Sequence, residues 1–198
     1  MNYLKKTSDG TITYPYYLQN LRTENPTVSF PDQIESVANE WDCFEVISTS
    51  QPDYNPITQT VMESTPVLKD GQYQQTWQIV ELSLEQVKAN KLSQIDSEWY
   101  QTLSQGWNSN QGTIGLESSD VALLAGNYLL AKEASSMNLP IPSIIDMNNN
   151  EIVFSDIQSM TLFMLQYGNY RSNLSKTYAA RRKAVEDATT IEEVNAVA

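Results

Sequence analysis

The sequence predicts an α+β protein, with a small β-rich module in residues 1–82 followed by an α-helical domain in residues 83–198 that carries a small β-hairpin. Three observations predict this class. Six of the eight prolines separate short apolar runs before residue 67, a pattern typical of strands and loops. After Leu82, apolar residues recur at spacings of three and four, which indicates helices. An Asn-rich turn within "SIIDMNNNEIVFS" predicts the hairpin.

Four apolar runs predict the strands of the first module, at residues 11–14, 43–48, 61–67 and 73–82. Asp70 and Gly71 lie between the last two runs and favour a tight hairpin, with the length of its turn left open. The alternation in "QYQQTWQIVEL" predicts a half-buried antiparallel strand. Between Pro31 and Trp41, apolar residues at helical intervals predict a short helix.

Two amphipathic segments open the second domain. The first runs from Ser83, which forms a capping-box pattern with Gln86, to about Gln105. A glycine-containing loop follows it. The second segment runs from Ser118 or Ser119 to about Met137 and is apolar nearly all round in "VALLAGNYLLAKEA". Such a distribution predicts a buried helix.

The hairpin and the longest helix come next. In the hairpin we expect Ile145 and Met147 to face Ile152 and Phe154 across the turn. A capping-box pattern at Ser155 then opens a helix of about thirty residues that ends near residue 187. This helix is either the spine of a small bundle or part of a coiled coil with another chain. A last short helix, "IEEVNAV", begins after a Thr190–Glu193 capping box.

Charge and composition exclude several classes of function. The net charge is −12 and the chain has no histidine, so we expect no nucleic-acid partner. Arg181, Arg182 and Lys183 form a basic cluster, which we interpret as a favourable interaction with the end of a long helix. No run of apolar residues approaches the length of a membrane span, so we expect no membrane partner. Cys43 is the only cysteine and is expected to be a buried small residue.

Catalytic and cofactor motifs are scarce. Without histidine, the chain cannot form a Ser-His-Asp or Cys-His arrangement or a usual zinc site. We therefore expect no enzymatic activity, no catalytic residues and no cofactor. A carboxylate enzyme acting on a cell-surface glycan is the competing hypothesis, and it would need two carboxylates in a cleft lined by aromatics such as Trp99 or Trp107.

One segment imitates a metal site. "DMNNNE" places Asp146, Asn148 and Asn150 like the first ligands of a calcium loop. However, Glu151 replaces the turn glycine, and Ile157 stands where the bidentate glutamate belongs. We therefore interpret the segment as a plain hairpin turn and expect no metal.

The stretch "TYPYYLQNLRTENPTVSFP", residues 13–31, combines three tyrosines with three prolines. Its prolines exclude a central strand, and a turn of helix is expected around Tyr17, Leu18 and Leu21. Two interpretations remain open: a rigid docking surface for a partner, or a cover for the edge of the β-module. The candidate partner-binding residues are Tyr14, Pro15, Tyr16, Tyr17, Leu18 and Leu21.

These residues also carry a resemblance. "YPYYLQNLRTENPTVSFP" and "QPDYNPITQTVMESTPVLKDGQYQQTWQIVELSLEQV", within roughly residues 10–90, resemble the N-terminal module of tailed-bacteriophage tail proteins. "SSDVALLAGNYLLAKEA", "NNNEIVFSDIQSM" and "YAARRKAVEDATTIEEVNAV" are similar to the helical domain of phage tail-fibre and tail-fibre-assembly proteins. No active site comes with this resemblance.

The resemblance implies a non-enzymatic structural component of the phage tail, beside the fibre or baseplate, whose first module docks onto other tail proteins. The alternative is a tail-fibre assembly chaperone that is not retained in the virion. Either role implies other tail proteins as partners, with a homo-oligomer as a further option. The expected location is the virion tail, and the host cytoplasm during assembly.

Overall fold

The chain folds into two units with different secondary structure. The computed structural model describes residues 2–198 and contains 47% helix and 23% strand. The first unit ends at Ser83 and is rich in β-strands, whereas the second, Leu84–Ala198, is mostly helical. This confirms the predicted α+β class.

A curled five-stranded sheet forms the first unit, in the strand order β2-β1-β3-β5-β4. The strands are β1 (Asn2–Lys6), β2 (Ile12–Tyr16), β3 (Cys43–Ile47), β4 (Gln59–Lys69) and β5 (Gln72–Glu81). All neighbouring pairs are antiparallel except β3 and β5, which are parallel. The four predicted strands are confirmed, with their ends shifted by one or two residues. Strand β1 was not predicted, although Leu4 within it is fully buried.

The β4–β5 hairpin closes through a two-residue turn. Lys69 pairs with Gln72, so only Asp70 and Gly71 lie between the strands. Both have positive φ, 52° and 79°, as a type I′ turn requires at its two central positions. The predicted Asp-Gly hairpin is therefore confirmed, and its turn has the shortest common length.

Helical segments of the first unit are short. Helix α1 covers Leu18–Glu24, which confirms and extends the single turn expected there. The short helix expected between Pro31 and Trp41 is instead two separate 3-10 turns, Ile34–Ser36 and Ala38–Trp41. The backbone leaves helical geometry at Val37, where φ is −128°, while Ile34 and Ala38 stay buried.

The second unit is built around one long helix. Its helices are α2 (Leu84–Gln105), α3 (Ser118–Ser136), α4 (Ile157–Asp187) and α5 (Ile191–Ala196), and its hairpins are β6–β7 (Trp107–Ser109, Gly112–Ile114) and β8–β9 (Ile144–Ile145, Glu151–Ile152). Helix α4 contacts α2, α3 and α5, so it is the spine of its own unit. Its buried Met160, Phe163 and Tyr167 form a core with residues of α3 and both hairpins.

The contact between α2 and α4 combines aromatic and ionic pairs. Trp99 and Tyr178 meet edge to face with ring centroids 5.1 Å apart. Arg181 pairs with Glu98 at 2.6 Å, and Arg182 pairs with Asp96. The interpretation of the basic cluster as a helix-end feature was therefore wrong for these two arginines, because they face carboxylates on the neighbouring helix.

The prediction that α3 is buried all round was wrong. Only Leu124 and Ala131 of this helix are buried, whereas Leu129 is 67% exposed and Leu130 64% exposed. Helix α3 packs on the core through one face, and the apolar residues of its opposite face have no cover within the described chain. The apolar residues all around α3 therefore did not indicate how far the helix is buried.

The expected facing residues of the second hairpin were wrong by one position. Ile144 pairs with Ile152, and both are buried, while Ile145 is 62% exposed. The reason is Asp146, whose inward carboxylate accepts hydrogen bonds from the Asn148 and Asn150 amides at 2.8 Å each. These bonds close the turn and place the buried side chains one residue earlier.

Two helix starts test the capping patterns. The long helix α4 is capped by Asp156, which accepts a hydrogen bond from the Ser159 amide at 2.7 Å, and not by the Ser155 pattern that we expected. The carboxylate is one residue closer to the first helical turn. The Thr190–Glu193 capping box of α5 is confirmed.

We expect Trp99→Ala to lower the free energy of unfolding of the second unit by about 2 to 4 kcal/mol, because it removes a large ring that packs against Tyr178. Tyr100→Ala is the matched control, since Tyr100 follows directly in α2 and is 68% exposed; it should change stability by less than about 0.5 kcal/mol. Chemical denaturation of both variants measures the difference. Equal losses would contradict the described packing of α2 on α4.

Candidate docking surface

Residues 13–31, which we call the aromatic-proline stretch, begin in the strand at the edge of the sheet in the first unit. Strand β2 lies at one end of the strand order and pairs only with β1. Pro15 lies within β2, and the Tyr14–Pro15 peptide bond is cis. An edge position is where a proline is tolerated in a sheet, so the exclusion of a central strand is confirmed.

Two of the six candidate residues belong to the core. Tyr16 is 1% exposed and Leu21 is fully buried, and they pack with Tyr3 and Ile34. Tyr16 lies opposite Tyr3 of β1, beyond an irregularity in the β1–β2 register, and Leu21 of α1 packs in the same cluster. Neither side chain is accessible to a partner, so their assignment to the docking surface was wrong.

The Tyr16 hydroxyl ends in a small polar network. It donates a hydrogen bond to Glu24 Oε2 at 2.9 Å, and Lys5 Nζ donates to the same oxygen at 2.5 Å. The ammonium group also lies 5.4 Å from the centre of the Tyr16 ring, a favourable cation–π distance. These contacts join β1, β2 and α1 around one buried ring.

The network shifts the pKa values of its members. Burial, and then the hydrogen bond to Glu24, raise the pKa of Tyr16 to about 12. The hydrogen bond from Lys5, followed by that from Tyr16, lowers the pKa of Glu24. The Lys5 pKa is raised, chiefly by the hydrogen bond to Glu24. At neutral pH the network therefore holds a neutral phenol, a carboxylate and an ammonium group.

The other candidate residues reach the surface to different degrees. Tyr17 is 55% exposed, Pro15 is exposed, and Leu18 is half-buried. Tyr14 is also half-buried, and its hydroxyl donates a hydrogen bond to Glu63 of β4. Burial, and then this hydrogen bond, raise the pKa of Tyr14 to about 12. We call Pro15, Tyr17 and Leu18 the Tyr17 surface.

A second apolar surface of the same unit was not predicted from the sequence. A groove of about 480 Å³ lies beside the β4–β5 turn and is lined by Phe44, Ile47, Leu68 and Tyr73, among others. Phe44 and Leu68 are 40% and 60% exposed. Residues 43–48 and 61–67 were predicted to be strands, but no prediction was made about which of their side chains would be exposed.

The calcium-like segment is a hairpin turn. Both carboxylate oxygens of Asp146 accept hydrogen bonds from donors in the turn and in β7, including the Thr113 amide at 3.4 Å. The backbone hydrogen bond from Asn150 contributes most to a lowered pKa of this carboxyl. Within residues 2–198, no cluster of three or more His, Cys, Asp or Glu side chains is placed to hold a metal ion.

Trp107 lines a groove of about 530 Å³ between β6–β7 and α4. The rest of its lining consists of serine, asparagine, glutamine, leucine and phenylalanine side chains. The groove contains no carboxylate among its described lining residues, so it does not supply the acid pair that the glycan-enzyme hypothesis needs. Trp99 packs against Tyr178 instead of lining a cleft with Trp107.

Comparison of the chain with family models, with curated proteins and with solved structures finds no match. Among the described helices, none has a segment long and apolar enough to cross a membrane.

We expect Tyr16→Ala to destabilise the first unit by about 3 to 5 kcal/mol, because it empties a core position and removes a partner of Glu24. Tyr17→Ala alters the neighbouring but exposed side chain and should cost less than about 0.5 kcal/mol. Amide hydrogen exchange within the first unit measures both effects. If the amides of Tyr16→Ala exchange as slowly as those of the parent chain, the described burial of the Tyr16 side chain is wrong.

Acid should weaken the first unit through Glu24. Its folded-state pKa lies below the ordinary 4.5, so its stabilisation is present above that value and is lost as the pH falls through the folded pKa. Because the Glu24 side chain is 46% exposed, Glu24→Gln should cost only about 0.5 to 1 kcal/mol at neutral pH. The variant should also lose less stability than the parent between about pH 5 and about pH 3.

The matched control for this pH dependence is Glu40→Gln, which alters an exposed glutamate of the same unit. Denaturation of the three chains across this pH range gives the comparison. An identical acid dependence in the parent chain and in Glu24→Gln would show that the network does not stabilise the fold.

Proposed function

We propose that this protein is a non-enzymatic structural component of a bacteriophage tail, and that its first unit docks onto another tail protein through the Tyr17 surface. The resemblance of residues 10–90 to phage tail modules supports the family. The observation that carries the docking surface is an exposed tyrosine, Tyr17, held between two buried anchors, Tyr16 and Leu21.

The anchors make Tyr17 well suited to recognition. Helix α1 begins directly after it, and the Tyr17 amide donates a hydrogen bond to Asn20 Oδ1 at 2.9 Å. With its backbone held on both sides, the residue loses little conformational entropy when a partner covers it. Tyrosine is also among the residues that most often dominate the binding energy of an interface. A neighbouring exposed proline adds rigid apolar area.

The proposal is tested by binding of the purified protein to tail particles from a phage that lacks it. Tyr17→Ala should weaken binding by about 30-fold or more, the effect of losing a central interface residue. Tyr54→Ala is the matched control, because Tyr54 lies in the same unit and is 41% exposed but is outside the aromatic-proline stretch. Binding of Tyr17→Ala at the strength of the parent chain would remove this surface from the interface.

The tail component and the assembly chaperone differ in one observable. Mass spectrometry of purified virions, with this polypeptide quantified against a major tail protein, should give a fixed ratio if the protein is a structural component. Absence from the particles together with abundance in the infected lysate would replace the proposal with the chaperone, which would use the same surface only during assembly.

A further inference from the structure

Helix α3 carries an apolar stripe on the side that faces away from its core. We define the α3 stripe as Leu123, Gly126, Leu130 and Met137, which follow each other at spacings of three, four and seven residues and share one face of the helix with the exposed Glu133. The three large side chains are 68%, 64% and 59% exposed. Leu124 and Ala131, on the opposite side, are the buried residues of the helix.

The stripe has a notch at its centre. Gly126 has no atom within 4 Å of the position that a Cβ would occupy, so the backbone is open there. Glycine costs roughly 0.5 to 1 kcal/mol relative to alanine inside a helix, and no close contact within the described chain requires it here. A notch beside an exposed leucine, Leu130, is a feature that a second helix can fill.

The two ends of α3 are also complementary to each other. Beside its N-terminal half lies a groove of about 340 Å³ whose lining includes Leu123, Ile145 and Met147. At its C-terminal end, Met137 and Leu139 project into solvent and are 59% and 56% exposed. One end of the helix therefore presents an apolar groove and the other presents two apolar side chains of a size that can occupy it.

We propose that the occupant of this face is a second copy of the same chain, paired through α3 in an antiparallel, two-fold arrangement. A two-fold axis midway between Gly126 and Leu130 places each Leu130 over the Gly126 notch of the other copy. The same axis passes near the middle of α3, Ser118–Ser136, so nearly the whole helix is paired. Met137 and Leu139 of each copy then reach the groove of the other.

The exposed apolar area is large enough for such a contact. Each large aliphatic side chain carries on the order of 100 Å² of apolar surface. The six that line the stripe and the groove or project from the C-terminal end of α3 are Leu123, Leu130, Met137, Leu139, Ile145 and Met147, with exposures between 48% and 68%. They offer roughly 350 Å² per copy. Since apolar atoms form roughly 60% of an interface, a dimer would bury on the order of 1,200 Å², at the lower end of the standard range.

The charge of the chain gives the contact a characteristic salt dependence. Each copy carries a net charge of −12, so two copies repel each other at low ionic strength. Added salt screens this repulsion without weakening an apolar interface. The dimer should therefore tighten or stay unchanged as salt is added, whereas an assembly held by ion pairs would dissociate. This inference concerns self-association and stands independently of the tail-docking proposal.

Sedimentation equilibrium of the full chain tests the proposal, from micromolar to hundreds of micromolar protein. We expect a monomer–dimer equilibrium that Leu130→Glu weakens by about 30-fold or more, as for a central interface residue. Ala125→Glu is the matched control, because it adds the same charge to an exposed residue of α3 outside the stripe; it should dimerise like the parent. Circular dichroism establishes that both variants are folded.

A cysteine cross-link tests the register. Chains with Gly126→Cys and Leu130→Cys should form a disulfide-linked dimer when the two are mixed under mild oxidation, and the parent, whose Cys43 is buried, should not. A chain that stays monomeric throughout the concentration range would overturn the proposal. So would a dimer that Leu130→Glu leaves intact, or a mixture that fails to cross-link while the parent sediments as a dimer.

Discussion

Burial of the Tyr16 ring sets the arrangement of the first unit. The ring is 1% exposed, and its hydroxyl, Glu24 and Lys5 meet at one carboxylate oxygen, so that β1, β2 and α1 are joined around it. Because neighbouring residues of an extended chain point in opposite directions, inward Tyr16 requires outward Tyr17. The same packing that closes the sheet edge therefore produces the exposed surface. The two interpretations of the aromatic-proline stretch, cover and docking element, apply to different residues of one segment.

The second unit divides its apolar residues in a comparable way. Its long helix α4 supplies the core with Met160, Phe163 and Tyr167, and ion pairs to α2 hold the C-terminal half of that helix. The core is complete without the outer face of α3, where aliphatic side chains remain exposed. Exposed contiguous apolar surface in a folded unit marks an interaction site more often than a defect. Each unit thus combines a buried core with exposed apolar side chains on a separate face.

Patterns of local origin were predicted well, and those that depend on tertiary packing were not. The Asp70–Gly71 turn and the Thr190–Glu193 cap follow from backbone preferences of a few residues, and both were found. Strand β1 was missed because only Tyr3 and Leu4 of its five residues are buried; pairing on both sides makes it a strand. The facing residues of the β8–β9 hairpin depend on the hydrogen bonds of Asp146. The exposure of α3 depends on which other elements of the unit pack against it. In the candidate surface, the burial of Tyr16 depends on its pairing with Tyr3 beyond an irregularity in the β1–β2 register, and no local pattern of the sequence indicates that irregularity.

We propose that Tyr17, and not its buried neighbour, contacts another protein of a phage tail. Site-specific photo-cross-linking tests it most directly, with a photoreactive phenylalanine analogue placed at position 17 and, as a control, at position 54 during phage assembly. We expect an adduct between this chain and one defined tail protein from position 17, and none from position 54. Absence of an adduct at position 17 in particles that contain the protein would contradict a docking role for Tyr17.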